Sequence, residues 1–200
     1  MKVTKQVQMP DQTKTDSERV SELFKSHADY LFNFAITRVN DTHIAEDLVQ
    51  DTFMAALRNI KNFESRSKES TWLTAILKNK IIDYYRKKVR QYHKESIDDL
   101  RSVEDYFDED GKWNKSDRPQ KWHINYNENI EQKEFYDILN NCLNRLNELQ
   151  RIAFTMKHFD DIKSEDICKE LKITSSNYWV IIHRAKLQLR KCMEVKWVNN

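Results

Sequence analysis

SEDICKELKITSSNYWVIIH, residues 164–183, contains two short apolar series separated by a polar break. Ser164 is placed to cap a first helix, and Thr174 or Ser175 a second, because their hydroxyl oxygens accept hydrogen bonds from free amides at a helix start. The residues that fall where two crossed helices need apolar or small contacts are Ile167, Cys168, Leu171, Ile173, Tyr178 and Ile181. The stretch therefore predicts a helix-turn-helix, a unit that lays its second helix in the major groove of DNA.

The start of that second helix would present side chains to base edges. These are Ser175, Ser176, Asn177, Trp179, Val180 and His183. Arg184 and Lys186 follow and suit phosphate contacts, within a segment, residues 178–200, that holds 5 basic and 1 acidic side chain. Two interpretations of Trp179 remain open, since it either stacks on DNA or packs on the preceding helices.

Helical patterns also fill most of the chain outside this unit. Apolar residues recur at three- and four-residue steps in residues 20–35, 45–57 and 72–84, and again from Phe135 to the C-terminus. Asp41 or Thr42 is placed to cap the second of these helices, and His27 lies on the first apolar stripe and is expected in the core. The chain has one Gly and two Pro, which disfavours turn-rich β folds and favours an all-α fold.

Residues 93–130 interrupt the helical pattern. From Glu95 to Glu134 there are 12 acidic and 6 basic side chains. Connections of this length without their own periodicity are functional or mobile. Residues 1–16 are polar and aperiodic and are expected to form a flexible tail. The sequence therefore predicts two helical domains joined by an acidic linker.

Charge is segregated within the first domain. Residues 16–57 carry 8 acidic and 3 basic side chains, whereas residues 58–92 carry 3 acidic and 10 basic ones. The basic stretch also holds the aromatic residues Phe63, Trp72, Tyr84, Tyr85 and Tyr92. Single-stranded nucleic acid needs rings for its unstacked bases beside cations for its phosphates. The alternative is a solvated basic helix whose rings, Trp72 and Tyr84 among them, only fill the core.

Two segments of the first domain carry a family resemblance: AEDLVQDTFMAAL, residues 45–57, and FESRSKESTWLTAILKNKIIDYYRKK, residues 63–88. They resemble the polymerase-binding helix of sigma-70 family sigma factors and the promoter-melting loop and helix of the extracytoplasmic-function (ECF) group. The resemblance implies docking on the clamp helices of the largest RNA polymerase subunit by Asp47, Leu48, Gln50, Asp51 and Phe53. Taken alone, DLVQDTF is typical of a solvated acidic helix face.

The same resemblance implies a −10 site. The Phe63–Thr71 loop would hold a base flipped from the −10 element, which costs about a few kcal/mol of stacking. The residues implied to contact the separated strand are Phe63, Ser65, Arg66, Lys68, Ser70, Thr71, Trp72, Lys78, Asn79, Arg86 and Lys87.

The second domain resembles the −35-reading region of ECF factors, whose usual ending is similar to HRAKLQLRKC, residues 183–192. The resemblance implies −35 contacts by Ser175, Ser176, Asn177, Trp179, Val180, His183, Arg184 and Lys186. Two positions depart from the family pattern. Lys172 stands where Gly is usual in the turn, and a left-handed conformation there costs on the order of 1 kcal/mol. Tyr178 stands where a smaller aliphatic residue is common.

Together these resemblances imply an all-α chain of two small helical domains. Residues 17–92 would form sigma region 2, for core binding, −10 recognition and melting, and residues 131–195 the region 4 helix-turn-helix. The acidic linker spans 93–130, with tails at 1–16 and 196–200. The implied partners are core RNA polymerase and promoter DNA, double-stranded at −35 and single-stranded at −10. FDEDGKW…RPQKW in the linker is similar to a subgroup paired with a zinc-binding anti-sigma factor, unless Trp113 and Trp122 only tack the linker down.

No enzymatic activity, cofactor or metal site is predicted. The six His lack metal-ligand spacing, one Gly excludes a Gly-rich phosphate loop, and no catalytic signature is present. Cys142, Cys168 and Cys192 are odd in number and lack CxxC spacing, which predicts reduced thiols in a cytoplasm, with Cys168 in the core. No signal peptide and no stretch of about 18 apolar residues is visible, so the chain is expected in the cytoplasm without a membrane span.

Two other functions fit the residues when the resemblance is set aside. An ordinary helix-turn-helix repressor or activator would use residues 1–92 as a sensor or dimerisation domain and would bind duplex DNA without polymerase. A helical adaptor would have only a solvated basic face and would show no salt-dependent DNA binding.

Overall fold

A computed structural model describes residues 15–63, 66–95, 114–115, 118 and 129–198, and within them the side chains of all but 92–95, 129–133 and 198. The seven α-helices of this part are α1 Asp16–Val39, α2 Thr42–Asn59, α3 Glu69–Glu95, α4 Asn129–Leu143, α5 Glu148–His158, α6 Ser164–Leu171 and α7 Ser175–Met193. A 3₁₀ turn, Ile60–Asn62, follows α2, and a π-helical turn, Glu194–Val198, follows α7. The described residues contain no strand, so the all-α prediction is confirmed. Most of the predicted linker, with Trp113 and Trp122, lies outside the described residues.

The chain divides into two compact units, one up to Ile81 and one from Ile82 onward. This division falls inside α3, whereas the sequence pattern placed the domain boundary after residue 92. The ends of α1, α3 and α4 lie inside the ranges predicted as tail and linker. The turn after α7 lies partly in the predicted C-terminal tail, where Trp197 packs edge-on against Phe135 with ring centroids 5.6 Å apart.

Local capping explains where the first helices begin. The Thr15 side chain accepts from the Glu18 amide, and the Glu18 carboxylate accepts from the Thr15 amide, which is a capping box. Of the two candidate caps for α2, Asp41 is the one used, because its carboxylate accepts from the Ile44 amide at 3.0 Å. Asn40 before it adopts a left-handed conformation, which Asn tolerates better than most residues.

The first unit packs α1, α2 and the start of α3 around small and aliphatic side chains. Ala35, Ala45 and Ala56 are fully buried, which lets α1 and α2 approach closely. His27 is half-buried rather than in the core, and its Nε2 lies 3.9 Å from the Glu69 carboxylate at the start of α3. The prediction that His27 lies in the core is therefore wrong.

Every fourth residue of α3 is buried along most of its length. These residues are Leu73, Leu77, Ile81, Tyr85 and Val89. Because an α-helix has 3.6 residues per turn, each four-residue step moves the buried ridge about 40° round the axis. The solvent-facing side of α3 therefore also rotates from its start to its end.

The second unit has an apolar cluster in which α4 packs on α7. It contains Leu143, Leu146, Ala185 and Leu189 and includes Cys142, which forms a disulfide with Cys192. The prediction of reduced thiols is wrong for this pair: the fold brings together two residues that are 50 positions apart, so local spacing carried no signal.

Cys168 has a free thiol and is half-buried, not a core residue as predicted. Burial, with a smaller contribution from the charge of Glu165, raises the pKa of its thiol. The thiolate is the reactive form of cysteine, so this side chain is held in its less reactive state.

The helix-turn-helix is present, with α6 and α7 joined at Lys172, which adopts the left-handed conformation (φ 55°) that the sequence predicted to be costly. Of the two candidate caps for α7, Thr174 is the one used, because its hydroxyl accepts from the Asn177 amide at 3.2 Å. Ser164 does not cap α6, because Lys163 occupies the cap position. The Ser164 hydroxyl instead donates to the hydroxyl of the buried Tyr178 at 3.3 Å. This contact satisfies the polar end of the ring, at a position where the pattern that the sequence resembles has a smaller aliphatic residue.

Across the described parts of the chain, no helix is long and apolar enough to cross a membrane. The same residues bring no three His, Cys, Asp or Glu side chains together in an arrangement suited to a metal ion.

Candidate nucleic-acid and polymerase interfaces

The start of α7 presents most of its predicted base-reading residues to solvent. Thr174 fixes the first turn, so the side chains that follow project from a capped helix end. The exposed residues are Ser175, Ser176, Asn177, Trp179, Val180, His183 and Lys186. Arg184 is half-buried, and its Nε is buried without a hydrogen-bond partner among the described residues.

Six of these side chains share one side of α7, which we call the reader face. At 100° per residue they fall within less than half of the helix circumference, whereas Asn177 and Arg184 lie on its flank. The reader face consists of Ser175, Ser176, Trp179, Val180, His183 and Lys186. The opposite side of the helix is buried through Tyr178, Ile181 and Ala185. Packing against the unit therefore holds the reader face outward.

Trp179 is 58% exposed, so it does not pack beneath the preceding helices. Its ring makes an edge contact with Tyr178, with centroids 5.3 Å apart and planes at 70°. Because Tyr178 is itself buried, this contact restricts the indole while leaving much of it accessible. Of the two interpretations left open by the sequence, the exposure of the ring disfavours packing on the preceding helices, and stacking on DNA stays a prediction.

His158 at the end of α5 is a neighbour of the reader face that the sequence did not reveal. Burial lowers the pKa of its imidazole, and the positive charges of Lys186 and Lys157 lower it further. The imidazole ring lies 4.5 Å from the ring of Phe154. No local pattern links His158 to Lys186, because the two helices meet only in the folded unit.

The predicted −10 site contains a preformed aromatic stack. The Phe63 and Trp72 rings lie 4.7 Å apart with planes at 26°, and both side chains are half-buried. Phe63 ends the 3₁₀ turn and Trp72 lies in the first turn of α3. The stack therefore closes the base of the loop that joins the two elements.

The other predicted −10 residues lie beside this stack or farther along α3. Ser70 is half-buried, and its carbonyl accepts a hydrogen bond from the Thr74 hydroxyl at 2.7 Å. Ser65 lies outside the described residues. The exposed members are Arg66, Lys68, Thr71, Lys78, Asn79, Arg86 and Lys87. The loop and the part of α3 in the first unit therefore present basic side chains to solvent.

Tyr85 is fully buried, so it is unavailable for base stacking and belongs to the ridge of α3. Tyr84 is half-buried, and the Lys88 ammonium lies 5.9 Å from its ring centroid. The sequence pattern placed Tyr84 on the apolar stripe of α3. The buried ridge rotates along this helix, which explains why Tyr85 rather than Tyr84 is the buried ring here. The side chain of Tyr92 lies outside those described.

Arg86 differs from the other predicted cations because carboxylates already engage it. Its guanidinium donates to Asp83 at 2.7 Å and also to Glu170 within the second unit. Lys87 next to it is exposed. A phosphate contact by Arg86 would have to compete with these two carboxylates.

The predicted docking residues on α2 separate into two groups. Asp47, Gln50 and Asp51 are exposed, and Asp51 lies 3.6 Å from the Lys80 ammonium. Leu48 and Phe53 are only 8% and 6% exposed. We therefore exclude Leu48 and Phe53 from the docking surface, because core packing covers both side chains.

Exposed apolar side chains adjoin the acidic residues of α2, and the sequence pattern missed them. Met54 is 53% exposed and lies on the same side of the helix as Asp47 and Asp51. Phe24 on α1 is also exposed and packs edge-on against Phe53, with centroids 4.9 Å apart. The available signal was that Met54 is an apolar residue off the apolar stripe. We call Asp47, Gln50, Asp51 and Met54 the docking face.

Comparison with known proteins gives the family. The model of Sigma-70 region 2 matches residues 23–91, and the model of Sigma-70, region 4 matches residues 136–189. The chain is 40% identical to a probable RNA polymerase sigma factor of Haemophilus influenzae over 166 aligned residues. These residues cover 83% of this chain and 85% of that relative. The chain belongs to the sigma-70 family of RNA polymerase sigma factors.

A second relative agrees with the ECF group. The ECF RNA polymerase sigma factor SigM of Bacillus subtilis is 25% identical, over 86% of this chain and 93% of that protein. A solved complex of the sigma factor RpoE with the anti-sigma factor NepR from Bartonella quintana aligns with a TM-score of 0.42 at 22% identity, over 89% of this chain and 98% of that one. That similarity is too weak to say anything about the partners of this chain.

Membership of this family gives the function at the level of the whole chain. The protein acts in promoter-specific transcription initiation with RNA polymerase. Sigma factors are non-catalytic initiation factors. The identification replaces the two other interpretations of the sequence, a polymerase-independent regulator and an adaptor without a nucleic-acid role.

Proposed function

We propose that three described surfaces divide the work of initiation among them. The reader face of α7 contacts the −35 duplex, the Phe63–Trp72 stack with α3 holds the separated −10 strand, and the docking face of α2 binds core polymerase. The observation that carries this proposal is the exposure of the reader face on the capped second helix of a helix-turn-helix.

The side chains of the reader face suit duplex recognition. Hydroxyl groups of Ser175 and Ser176 are able to donate to or accept from base edges, and Val180 offers an apolar contact for a thymine methyl group. Lys186 lies farther along the helix, where a cation suits the phosphate backbone. Asn177 and Arg184 on the flank are proposed to reach the backbone rather than the bases.

The Phe63–Trp72 stack suits a strand that has lost its pairing. A base flipped from the duplex loses about a few kcal/mol of stacking, and a fixed aromatic surface replaces part of that loss. Arg66 and Lys68 beside the stack supply positive charge for the phosphates. Farther along α3, Lys78 and Asn79 extend the same polar surface.

The docking face combines an apolar centre with polar surroundings. Specific interfaces bury apolar side chains at their centre and keep polar groups at the rim. Met54 is the exposed apolar residue here, and Asp47, Gln50 and Asp51 surround it on the same side of α2. The clamp helices of the largest polymerase subunit are the proposed partner of this face.

The proposal includes no chemistry by the sigma factor itself, because polymerase forms the phosphodiester bonds. Its location would be the cytoplasm, where core polymerase and promoter DNA are found. An anti-sigma factor is a further proposed partner, since any protein that covered Met54 and Asp47 would keep core polymerase from the docking face.

In vitro transcription with purified core polymerase tests the assignment. We expect promoter-specific transcripts, and we expect Asp47→Lys to weaken core binding at least about fivefold by reversing a charge at the interface. Asp29→Lys is the matched control, because Asp29 is an exposed carboxylate on α1, outside the docking face. Absence of both core binding at low ionic strength and transcripts on a wide promoter library would refute the proposed function. Equal loss in the two variants would refute the docking face alone.

A further inference from the structure

The disulfide of the second unit joins its first helix to its last. Cys142 lies in the last turn of α4 and Cys192 in the last turn of α7, with Cα atoms 5.8 Å apart. The 50-residue separation means that the bond closes a loop containing α5, α6 and nearly all of α7. The C-terminal end of the helix that carries the reader face is therefore held covalently.

Among the described residues, an apolar cluster also holds α4 against the end of α7. Its buried members beside Cys142 include Leu146, Ala185 and Leu189. Since α7 is one continuous helix, a shift at Cys192 would be transmitted to Trp179, about 20 Å away at 1.5 Å per residue. The state of the sulfur atoms and the position of the reader face are thus mechanically connected.

The two cysteine residues differ in their exposure to solvent. Cys142 is buried, whereas Cys192 is half-buried. Thiol–disulfide exchange requires a thiolate to reach a sulfur atom directly, and the rate depends on which sulfur is accessible. An external reagent would therefore enter and leave at Cys192.

We propose that Cys142 and Cys192 form a reversible redox site whose oxidised state holds α7 in the position that reads −35 DNA. Disulfides in cytosolic proteins are rare, and those present are usually transient, catalytic or redox-sensing. The inference rests on the proposed reader face and adds a means of regulating it. The oxidant is a low-molecular-weight disulfide, RSSR.

The exchange proceeds in two balanced steps. The Cys192 thiolate attacks RSSR, so that the S–S bond of RSSR breaks, one RS⁻ leaves and a mixed disulfide forms on Cys192. The Cys142 thiolate then attacks the Cys192 sulfur, the mixed disulfide breaks and the second RS⁻ leaves. Overall the protein loses two electrons and two protons, and RSSR becomes two RSH. Two molecules of RSH reverse the sequence, entering at Cys192.

To test the redox site, the full-length protein is equilibrated in mixtures of reduced and oxidised glutathione, denatured and alkylated. Mass spectrometry then counts the alkyl labels on each molecule. The oxidised form exposes one free thiol, that of Cys168, and the reduced form exposes all three. We expect the protein to carry one label in the most oxidising glutathione mixtures and three labels in the most reducing ones. A protein that keeps one label, or three, in every mixture would overturn the inference.

Transcription with core polymerase then tests the consequence. On a promoter that depends on its −35 element, we expect reduction of the disulfide to lower the transcript yield at least about threefold. The reason is that the fraction of molecules whose α7 is positioned to bind −35 DNA would fall to about one third. Cys168→Ser should keep this response. Cys142→Ala/Cys192→Ala should give equal yields in both buffers, which also controls for redox effects on core polymerase. If that double variant loses helicity, Cys192→Ala, at the half-buried position, replaces it.

The outcomes separate this inference from the proposed function. Absence of specific transcripts in either redox state counts against the proposed function. Specific transcripts whose yield is unchanged by reduction, or changed equally in the wild type and the cysteine variants, overturn the redox site and leave the proposed function standing.

Discussion

The predicted contacts on α2 and on α7 differ in how many of them are accessible. On α7 every predicted −35 residue except the half-buried Arg184 is exposed. On α2 two of the five predicted docking residues, Leu48 and Phe53, are in the core. The α7 residues were selected at a capped helix start, whereas the α2 residues were taken from a contiguous motif.

This difference shows what a motif contains. A contiguous segment of helix places successive residues 100° apart, so DLVQDTF necessarily includes both buried and exposed positions. The buried members of such a motif maintain the fold, and the exposed members are available to a partner. Exposure therefore separates the two roles of α2 that the motif combined.

Adjacent substitutions on α2 should separate the two roles most strongly. We expect Phe53→Ala to lower the free energy of unfolding by about 3–5 kcal/mol, because it leaves a cavity in the core. Met54→Ala should change it by less than about 0.5 kcal/mol, since Met54 is exposed. Urea unfolding measures both values. Met54→Ala should nonetheless weaken core binding, and similar stability losses in the two variants would contradict the division of α2.

Loss of the aromatic stack should impair strand opening. We expect Trp72→Ala to reduce open-complex formation at least about fivefold, because base–aromatic stacking contributes about 1–3 kcal/mol per base. Permanganate reactivity of −10 thymines measures opening, and filter binding at low temperature measures the closed complex. Tyr30→Ala is the control, since Tyr30 is an exposed aromatic residue on α1 outside the proposed contacts. Unchanged thymine reactivity in Trp72→Ala would remove Trp72 from the −10 site.

A substitution on the reader face should have a smaller effect, limited to recognition of the −35 element. We expect Trp179→Ala to lower discrimination at the −35 element by about 1 kcal/mol, the low end for a contact to a base edge. Transcription from templates with single −35 substitutions measures discrimination. Tyr136→Ala, at an exposed ring on α4, should leave discrimination intact. A uniform fall in transcription on every template would instead assign Trp179 to the DNA backbone.

His158 should produce the smallest effect, seen as a pH-dependence of stability. Its pKa is lower in the folded unit than in the unfolded chain, so between those values the unfolded state binds more protons. The contribution of His158 to the free energy of unfolding is therefore complete above about pH 6.5, and it is lost as the pH falls through the lowered pKa. We expect His158→Gln to flatten the loss of stability of the second unit between about pH 7 and 5. His43→Gln, on α2 in the first unit, is the control. Parallel pH profiles for wild type and His158→Gln would contradict this role of His158.

The local part of the fold was predictable because helix starts and faces are encoded over a few residues. The sequence narrowed each cap to two adjacent candidates before an apolar series, and the structure uses Thr174 for α7 and Asp41 for α2. The left-handed Lys172 was identified through the family resemblance, because Gly is usual at that position of the turn. Ser164 was misassigned as a cap because its hydroxyl instead contacts Tyr178, a residue in the next helix.

By itself the sequence determined the all-α class, the helix-turn-helix and the segregation of charge, because these follow from periodicity, capping and composition within short stretches. Tertiary structure alone decided that Tyr85 is buried and that Cys142 meets Cys192. The physical reason is that burial and pairing depend on which helix faces meet, and those contacts join residues too far apart in the chain for any local pattern to specify.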